Sequence, residues 1–150
     1  MYIKKGFLVI LIITILFVIL GIYYGYKMIS FSRSVLIYKD KINMLYNLDS
    51  LSDKPTIMVS RKEVLKKVLS EYELRKIVFY LTRINGEAKI PNREFDLRIA
   101  FPHNDIDIYF IDDDNAIIWA KMPGSEYKFS LRHYGIRSAF EKIQKNNASN

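Results

Sequence analysis

Five closely spaced aspartates are the residues of this sequence that could most readily bind a partner or a cation. Between residues 99 and 126, six acidic side chains accompany a single basic one, Lys121. Such a density of carboxylates can attract a basic protein, protect a hairpin edge from pairing, or bind calcium weakly without the spacing of a strong calcium loop. We predict that they form a contact surface for a protein partner of basic character, and we call them the aspartate cluster: Asp105, Asp107, Asp112, Asp113 and Asp114.

Residues for catalysis do not form a recognisable pattern. The two histidines, His103 and His133, are 30 positions apart and lack the spacing of metal ligands. The chain has no Cys, no Gly-x-Ser-x-Gly elbow and no glycine-rich phosphate loop. We therefore expect a protein that is not an enzyme and uses no cofactor or metal. Because paired carboxylates are present, an unrecognised membrane-anchored hydrolase is an alternative.

The first element that must position these residues is an uncharged apolar segment, residues 7–26. Twenty residues in a helix rise about 30 Å, the thickness of the hydrocarbon core of a bilayer. Lys5 and Lys27 flank the segment, and tyrosines lie at both ends. We predict a transmembrane helix over 7–26 that contacts the lipid bilayer.

A cleavable secretory signal is the competing interpretation of the same segment. Signal peptides carry an apolar stretch of about 7–15 residues that ends in a small-x-small site. Here the stretch is longer, and the nearest such triplet, Ser30-Phe31-Ser32, comes after it has ended. We therefore expect an uncleaved anchor.

The basic residues on the two sides of the segment predict opposite orientations of the chain in the membrane. The tail, residues 1–6, carries Lys4 and Lys5, while the other side carries more basic residues within about 20 positions. Because a short basic tail before a long apolar run is typical of a signal anchor, we predict a cytoplasmic tail. The protein is then a single-pass protein of a bacterial cytoplasmic membrane with an extracytoplasmic C-terminal domain.

A helical stalk is predicted over residues 27–48, since no Pro or Gly interrupts an apolar stripe that steps by three and four. The stripe either packs on the protein's own sheet or forms a helix–helix interface with another chain, which would allow self-association. Its members are Met28, Phe31, Val35, Tyr38, Ile42 and Leu45.

A linker over 49–55, rich in Asp, Ser and Pro, separates the stalk from an α+β domain over 56–145 and a polar tail over 146–150. The domain begins with a strand at 56–59. Ser60 and Glu63 have the spacing of a capping box and predict a helix that ends near Tyr72.

An antiparallel meander of about five strands follows, because apolar residues alternate with polar ones. Asn85-Gly86 and Pro123-Gly124 predict turns, and residues 112–115 turn the chain between two strands. A closing helix begins near Ile136. The predicted strands contain residues 77–81, 94–101, 106–111, 116–120 (a central strand) and 127–131.

Basic residues dominate the earlier part of the chain, with 15 basic and 9 acidic side chains between Lys27 and Arg98. They could meet anionic lipid heads or nucleic acid. Because no stacking aromatics are interleaved with them and the chain has a membrane segment, we expect no nucleic acid partner. The basic face comprises Arg61, Lys62, Lys66, Lys67, Arg75 and Lys76.

The run Lys4-Lys5-Gly6-Phe7 resembles the processing site of type IV prepilins and pseudopilins. The resemblance implies cleavage after Gly6 and a pilin-like subunit whose long N-terminal helix lies against an antiparallel sheet. Leu11 stands where that family usually has Glu, and the closing helix is not expected of it.

Together these features predict a non-enzymatic, membrane-anchored module that binds another protein, as an accessory subunit of an envelope complex or as an immunity-type protein. The pilin-like subunit and the hydrolase are the two alternatives.

Overall fold

The computed structural model describes residues 2–47, 55–59, 67–101 and 103–145. The chain is α+β with an antiparallel meander, as predicted from the sequence. Its helices are α1 (Tyr2–Asn47), α2 (Glu71–Leu81) and α3 (Ile136–Lys145). Its strands are β1 (Thr56–Val59), β2 (Lys67–Val68), β3 (Ile84–Glu87), β4 (Leu97–Phe101), β5 (Asn104–Phe110), β6 (Asn115–Met122) and β7 (Ser125–Arg132).

The chain divides into two compact units, Met1–Ile37 and Tyr38–Asn150. The first unit contains α1 as far as Ile37. Within α1, Gly6–Met44 is long and apolar enough to cross a membrane, with a mean hydropathy of 3.0 in its most apolar window. None of the side chains in that window is buried. Thr14 is a polar side chain in this segment, and its hydroxyl donates to the carbonyl oxygen of Ile10 at 2.9 Å. The helix therefore satisfies the hydroxyl of Thr14 with its own backbone.

The second unit is built on one seven-stranded sheet in the order β2-β1-β4-β5-β6-β7-β3, with every neighbouring pair antiparallel. Three successive hairpins join β4 to β7. Gly124 has a positive φ of 71°, which explains the predicted Pro123-Gly124 turn between β6 and β7.

One face of this sheet, the inner face, carries the core. Apolar residues alternate along the four strands of the meander, and the register aligns Ile99 with Ile106 and Ile106 with Ala120. Helix α3 packs here, with the Phe140 ring 6.0 Å from Phe110. The predicted alternation is confirmed in β4 and β7, and β6, which was predicted to be apolar on both faces, also alternates. In β5, Asp107 and Tyr109, which point to the opposite face, are buried as well. The buried members of the four strands on the inner face are Leu97, Ile99, Phe101, Ile106, Ile108, Phe110, Ala116, Ile118, Ala120, Met122, Phe129 and Leu131.

The last ten residues of α1, 38–47, belong to the second unit. The Tyr38 ring lies 5.2 Å from Phe129 on the inner face, and its hydroxyl donates to the Leu81 carbonyl oxygen at 3.2 Å. Within the predicted stripe, Tyr38 and Ile42 are buried, Phe31 and Val35 are half-buried and Met28 is exposed. The Leu45 side chain lies outside the described residues. Tyr38 therefore packs on the protein's own sheet.

The opposite face of the sheet, the outer face, is crossed by the segment 88–96. This segment connects β3 to β4, and three strands separate these two in the sheet. The Arg93 guanidinium lies 5.8 Å from the Tyr109 ring and donates to the Phe110 carbonyl oxygen at 2.7 Å. Tyr109 points to the outer face, since it alternates with the buried Ile108. The segment 88–96 therefore covers the part of the outer face around Tyr109.

The helix and strand predicted within residues 60–81 were wrong wherever the structure describes this segment. Ser60 and Glu63 lie outside the described residues, but residues 67–68 are strand and α2 occupies the place of the strand predicted at 77–81. A second capping box begins this helix: the Ser70 hydroxyl accepts from the Glu73 N–H at 3.3 Å, and the Ser70 N–H donates to the Glu73 carboxylate at 2.9 Å. Helical spacing then buries Ile77 and Leu81.

Two further boundaries differ from the prediction. Asn85-Gly86 is not a turn but part of β3, where a register shift between Ile84 and Gly86 accommodates the glycine. Strand β4 begins at Leu97 rather than at 94, because the Asp96 carboxylate accepts from the Phe110 N–H at 2.7 Å in place of continued pairing. The turn at 112–115, the interior position of β6, and the closing helix α3 are confirmed.

The Ser70 cap gives a simple test of this local correction. Ser70→Ala removes an acceptor for the N-terminal N–H groups of α2 and should lower the free energy of unfolding by about 1 kcal/mol. Ser138→Ala, at an exposed position inside α3, should change it by less than about 0.5 kcal/mol. Urea unfolding of both variants in detergent micelles measures the difference, and equal values would refute the cap.

Candidate functional site

The structure divides the aspartate cluster into two groups at opposite ends of β5. Asp105 and Asp107 lie on the outer face, whereas Asp112, Asp113 and Asp114 form the turn that follows the strand. Seven residues of strand span about 23 Å. The five aspartates therefore do not form one continuous surface.

Asp107 belongs to the predicted contact surface, but its residue is only 1% exposed. Its carboxylate accepts from Arg98 Nη2 at 2.9 Å and from Lys121 Nζ at 2.8 Å. Burial raises the pKa of Asp107, but the hydrogen bonds and charges of these two cations outweigh burial and leave that pKa below its usual value. Asp107 is thus a paired structural carboxylate rather than a surface contact.

The outer face beyond Asp107 is a set of mutually paired groups around the sole tryptophan. Lys121 Nζ lies 3.9 Å from the centre of the Trp119 ring, and Trp119 Nε1 donates to Glu126 at 3.2 Å. Lys128 pairs with the same glutamate at 3.6 Å, and Arg98 lies 3.9 Å from Asp105. Three cations and three carboxylates balance here, so this group of paired side chains carries no net charge to attract a partner.

The turn between β5 and β6 is held by its own aspartates. The Asp112 carboxylate accepts from the Asn115 side chain at 2.9 Å and from the backbone N–H of Asp114 at 2.9 Å, and these hydrogen bonds lower the pKa of Asp112. The Asp114 carboxylate accepts from the Gly135 N–H at 2.7 Å, where Gly135 has a φ of 65°. This leaves Asp113 as the exposed carboxylate of the turn that receives no side-chain hydrogen bond within the described residues.

A cleft of about 660 Å³ lies beside this turn. Helix α2, the turn and helix α3 line it, and cations and carboxylates face the same opening. Its lining includes Lys76, Tyr80, Asp113, Asp114, Tyr134, Gly135, Ser138 and Lys142. The turn aspartates of the cluster therefore lie at the edge of a concave site.

Exposed aromatic and basic residues occur in the cleft lining and along α2 and the residues that follow it. Tyr134 is 88% exposed, Tyr72 66% and Phe79 43%. Lys76 Nζ lies 4.4 Å from the Tyr72 ring centre, and the Arg83 guanidinium lies 4.1 Å from that of Phe79. We define the aromatic-basic surface as these residues together with the cleft lysine on α3: Tyr72, Lys76, Phe79, Arg83, Tyr134 and Lys142.

Sequence reasoning missed this surface because it placed residues 77–81 in a strand. The Ser70-x-x-Glu73 box and the helical spacing of Leu74, Ile77 and Leu81 were the signals that could have found it. Of the six residues of the predicted basic face, Arg75 and Lys76 lie on α2, Lys67 is in β2, and Arg61, Lys62 and Lys66 lie outside the described residues.

The histidines take no part in a shared site. His103 is exposed between β4 and β5, while His133 lies 5.0 Å from the Tyr80 ring and 5.4 Å from that of Phe79. Within residues 2–47, 55–59, 67–101 and 103–145, no group of three or more His, Asp or Glu side chains could hold a metal ion.

Comparisons with protein-family models, with curated proteins and with solved structures find no match to this chain.

Proposed function

We propose that the chain is a single-pass, membrane-anchored module that binds another protein and performs no catalysis. Its domain lies on the extracytoplasmic side of a bacterial cytoplasmic membrane. The observation that carries the proposal is the uncharged segment 7–26 of α1, in which every side chain is exposed. Exposed apolar side chains at this density are stable in hydrocarbon and costly in water.

The flanks of this segment support its placement in a bilayer. Lys27 follows it directly, and the edge-to-face pair of Tyr23 and Tyr24 has its ring centres 5.6 Å apart. Tyrosine and lysine favour the boundary between lipid and water. A cleaved signal would share these features, and the N-terminal sequence of the mature protein distinguishes the two.

Asp113 is our choice for the first contact with the protein partner. It is exposed, it lines the cleft, and its neighbours Asp112 and Asp114 use their carboxylates within the fold. A basic partner would be attracted by this turn, and charge complementarity acts mainly on the association rate. Asp107, by contrast, is excluded from the contact by its burial.

Crosslinking in membranes, followed by mass spectrometry, identifies the partner, and a charge reversal then tests the contact. Asp113→Lys should slow association with that partner by about tenfold, because it replaces attraction with repulsion. Glu87→Lys makes the same charge change at an exposed position of β3, away from the cleft, and should leave the rate within about twofold. Equal rates for both variants would remove Asp113 from the interface.

One observation favours the pilin-like alternative: the end of α1 packs on an antiparallel sheet through Tyr38. Such a subunit would lose Met1 to Gly6 and begin at Phe7, which that family also methylates. Intact-mass measurement of the purified protein decides between the two, because retention of residues 1–6 excludes this processing.

A further inference from the structure

The aromatic-basic surface is not explained by the packing of the domain. Tyr134 exposes 88% of its area, and Tyr72 and Phe79 are also exposed although they lie on a helix with a well-buried opposite side. Exposed aromatic residues that are grouped in this way mark binding surfaces more often than folding requirements.

The cations of this surface have no acidic partners. Lys76, Arg83 and Lys142 are exposed, and none pairs with a carboxylate in the part of the chain that the structure describes. Asp113 and Asp114 line the adjoining cleft, so two carboxylates lie beside these three cations. The surface therefore has an excess of positive charge next to exposed rings.

We propose that the aromatic-basic surface docks on the anionic lipid headgroups of the bilayer in which α1 is anchored. This inference rests on the membrane anchorage proposed above. Tyrosine rings favour the interface between headgroups and acyl chains, and lysine and arginine are attracted to anionic lipids. Lys76 and Arg83 lie over aromatic rings, an arrangement that lets the ring enter the interface while the charge remains among the phosphates.

Anchorage is the reason to choose lipid over a soluble anion or an acidic protein. A tethered domain meets its own bilayer at a high effective concentration, so a weak surface attraction is enough to keep it docked. Each lysine or arginine near an anionic surface strengthens binding by about fivefold. Three cations can therefore hold the domain on the bilayer without a deep binding pocket.

The absence of Cys from the sequence allows a direct experiment on the full chain. Tyr134→Cys supplies a single labelling site for a fluorophore at the most exposed position of the surface. The labelled protein is reconstituted into nanodiscs of phosphatidylcholine alone or of an equal mixture of phosphatidylcholine and phosphatidylglycerol. Both discs contain a lipid with a nitroxide quencher at headgroup level.

We expect strong quenching in the anionic discs and little in the neutral ones. A label at Asn92→Cys is the positional control, because Asn92 is exposed in the segment that crosses the outer face. That label should be quenched weakly, and equally, in both discs.

The charges are tested by Lys76→Gln with Lys142→Gln, which should weaken docking in anionic discs by about 25-fold. Lys89→Gln with Lys128→Gln makes the same charge change outside the surface and should alter docking by less than about twofold. Far-UV circular dichroism reports that each variant remains folded.

Three outcomes would overturn the docking proposal: equal quenching at position 134 in both discs, no quenching in either, or stronger quenching at position 92. Each is distinguishable from failure of membrane anchorage, since an unanchored chain would not copurify with the discs at all.

Discussion

Asp107→Ala is expected to lower the free energy of unfolding of the domain by about 3 kcal/mol. The carboxylate is buried between Arg98 and Lys121, and its removal leaves two cations close together without their shared partner. Their side chains are 25% and 34% exposed, so water solvates them in part. The expected loss therefore lies at the low end of the range for breaking a buried ion pair.

The measurement is urea unfolding of the full chain in detergent micelles, followed by the fluorescence of Trp119, which lies beside Lys121. Asp105→Ala is the matched control, because the Asp105 side chain is 41% exposed and its distance to Arg98 is 3.9 Å. We expect that control to lose less than about 1 kcal/mol. Equal losses in the two variants would mean that Asp107 has no special structural role.

Removing the whole ionic group gives a sharper result than removing one member. Asp107→Leu combined with Arg98→Met and Lys121→Met replaces all three charges by apolar side chains of similar size. We expect this triple variant to be more stable than Asp107→Ala, because no unpaired charge remains near the interior. A triple variant that is less stable than the single one would show that the pairing itself stabilises the fold.

The same carboxylate predicts a pH dependence. Because the pKa of Asp107 is lower in the folded protein than its ordinary value, its contribution is fully present above about pH 4 and is lost as the pH falls through the folded pKa. Wild-type stability should therefore fall below about pH 4 more steeply than that of Asp107→Ala. Parallel pH profiles of the two proteins would contradict this prediction.

How much of the fold the sequence predicts depends on whether its signal is local. In β4 to β7 one face is buried, so the period of two identifies each strand and its core residues, as at Leu97, Ile99 and Phe101. The Pro123-Gly124 turn is equally local, because Gly124 adopts a positive φ. These predictions are confirmed because tertiary contacts act in the same direction as the local pattern.

Helix α2 shows where a local signal is ambiguous. The chain has two capping-box sequences ten residues apart, Ser60 to Glu63 and Ser70 to Glu73. Only the second is seen to cap a helix in the described residues, and residues 77–81 fit either a strand or a helix by their apolar spacing. Burial of Ile77 and Leu81 in the core decides for the helix, in agreement with the Ser70 capping box.

The candidate site depends even more on tertiary structure. The alternation of apolar and polar residues correctly places Asp107 on the face away from the core. It does not predict that the Asp107 carboxylate binds two cations, Arg98 and Lys121, from the neighbouring strands. The aromatic-basic surface likewise combines α2 with residues 134 and 142, more than 50 positions away along the chain. Its first four members step by four, three and four, the spacing of one helix face, but Tyr134 and Lys142 join them only when the helices are packed.

The second large effect is expected from charges in the apolar segment. Leu16→Arg with Ile19→Arg places two guanidinium groups near the centre of residues 7–26, which should disfavour insertion by about 5–7 kcal/mol. Both side chains are exposed in the structure, so the substitutions remove no packing within the chain. We therefore expect loss of the protein from the carbonate-resistant membrane fraction without a change in the fold of the domain.

Leu16→Ala with Ile19→Ala is the control, since it shortens the same side chains and adds no charge, and it should stay in the membrane fraction. Fusion of alkaline phosphatase or of a fluorescent protein after Asn150 reports the side on which the domain lies. Phosphatase activity with a dark fluorescent fusion is expected for an extracytoplasmic domain, and the reverse would overturn the proposed orientation. A wild-type chain that is recovered without detergent, with residues 7–26 still attached, would refute the anchor, because the exposed apolar side chains of this segment must then be covered by something other than lipid.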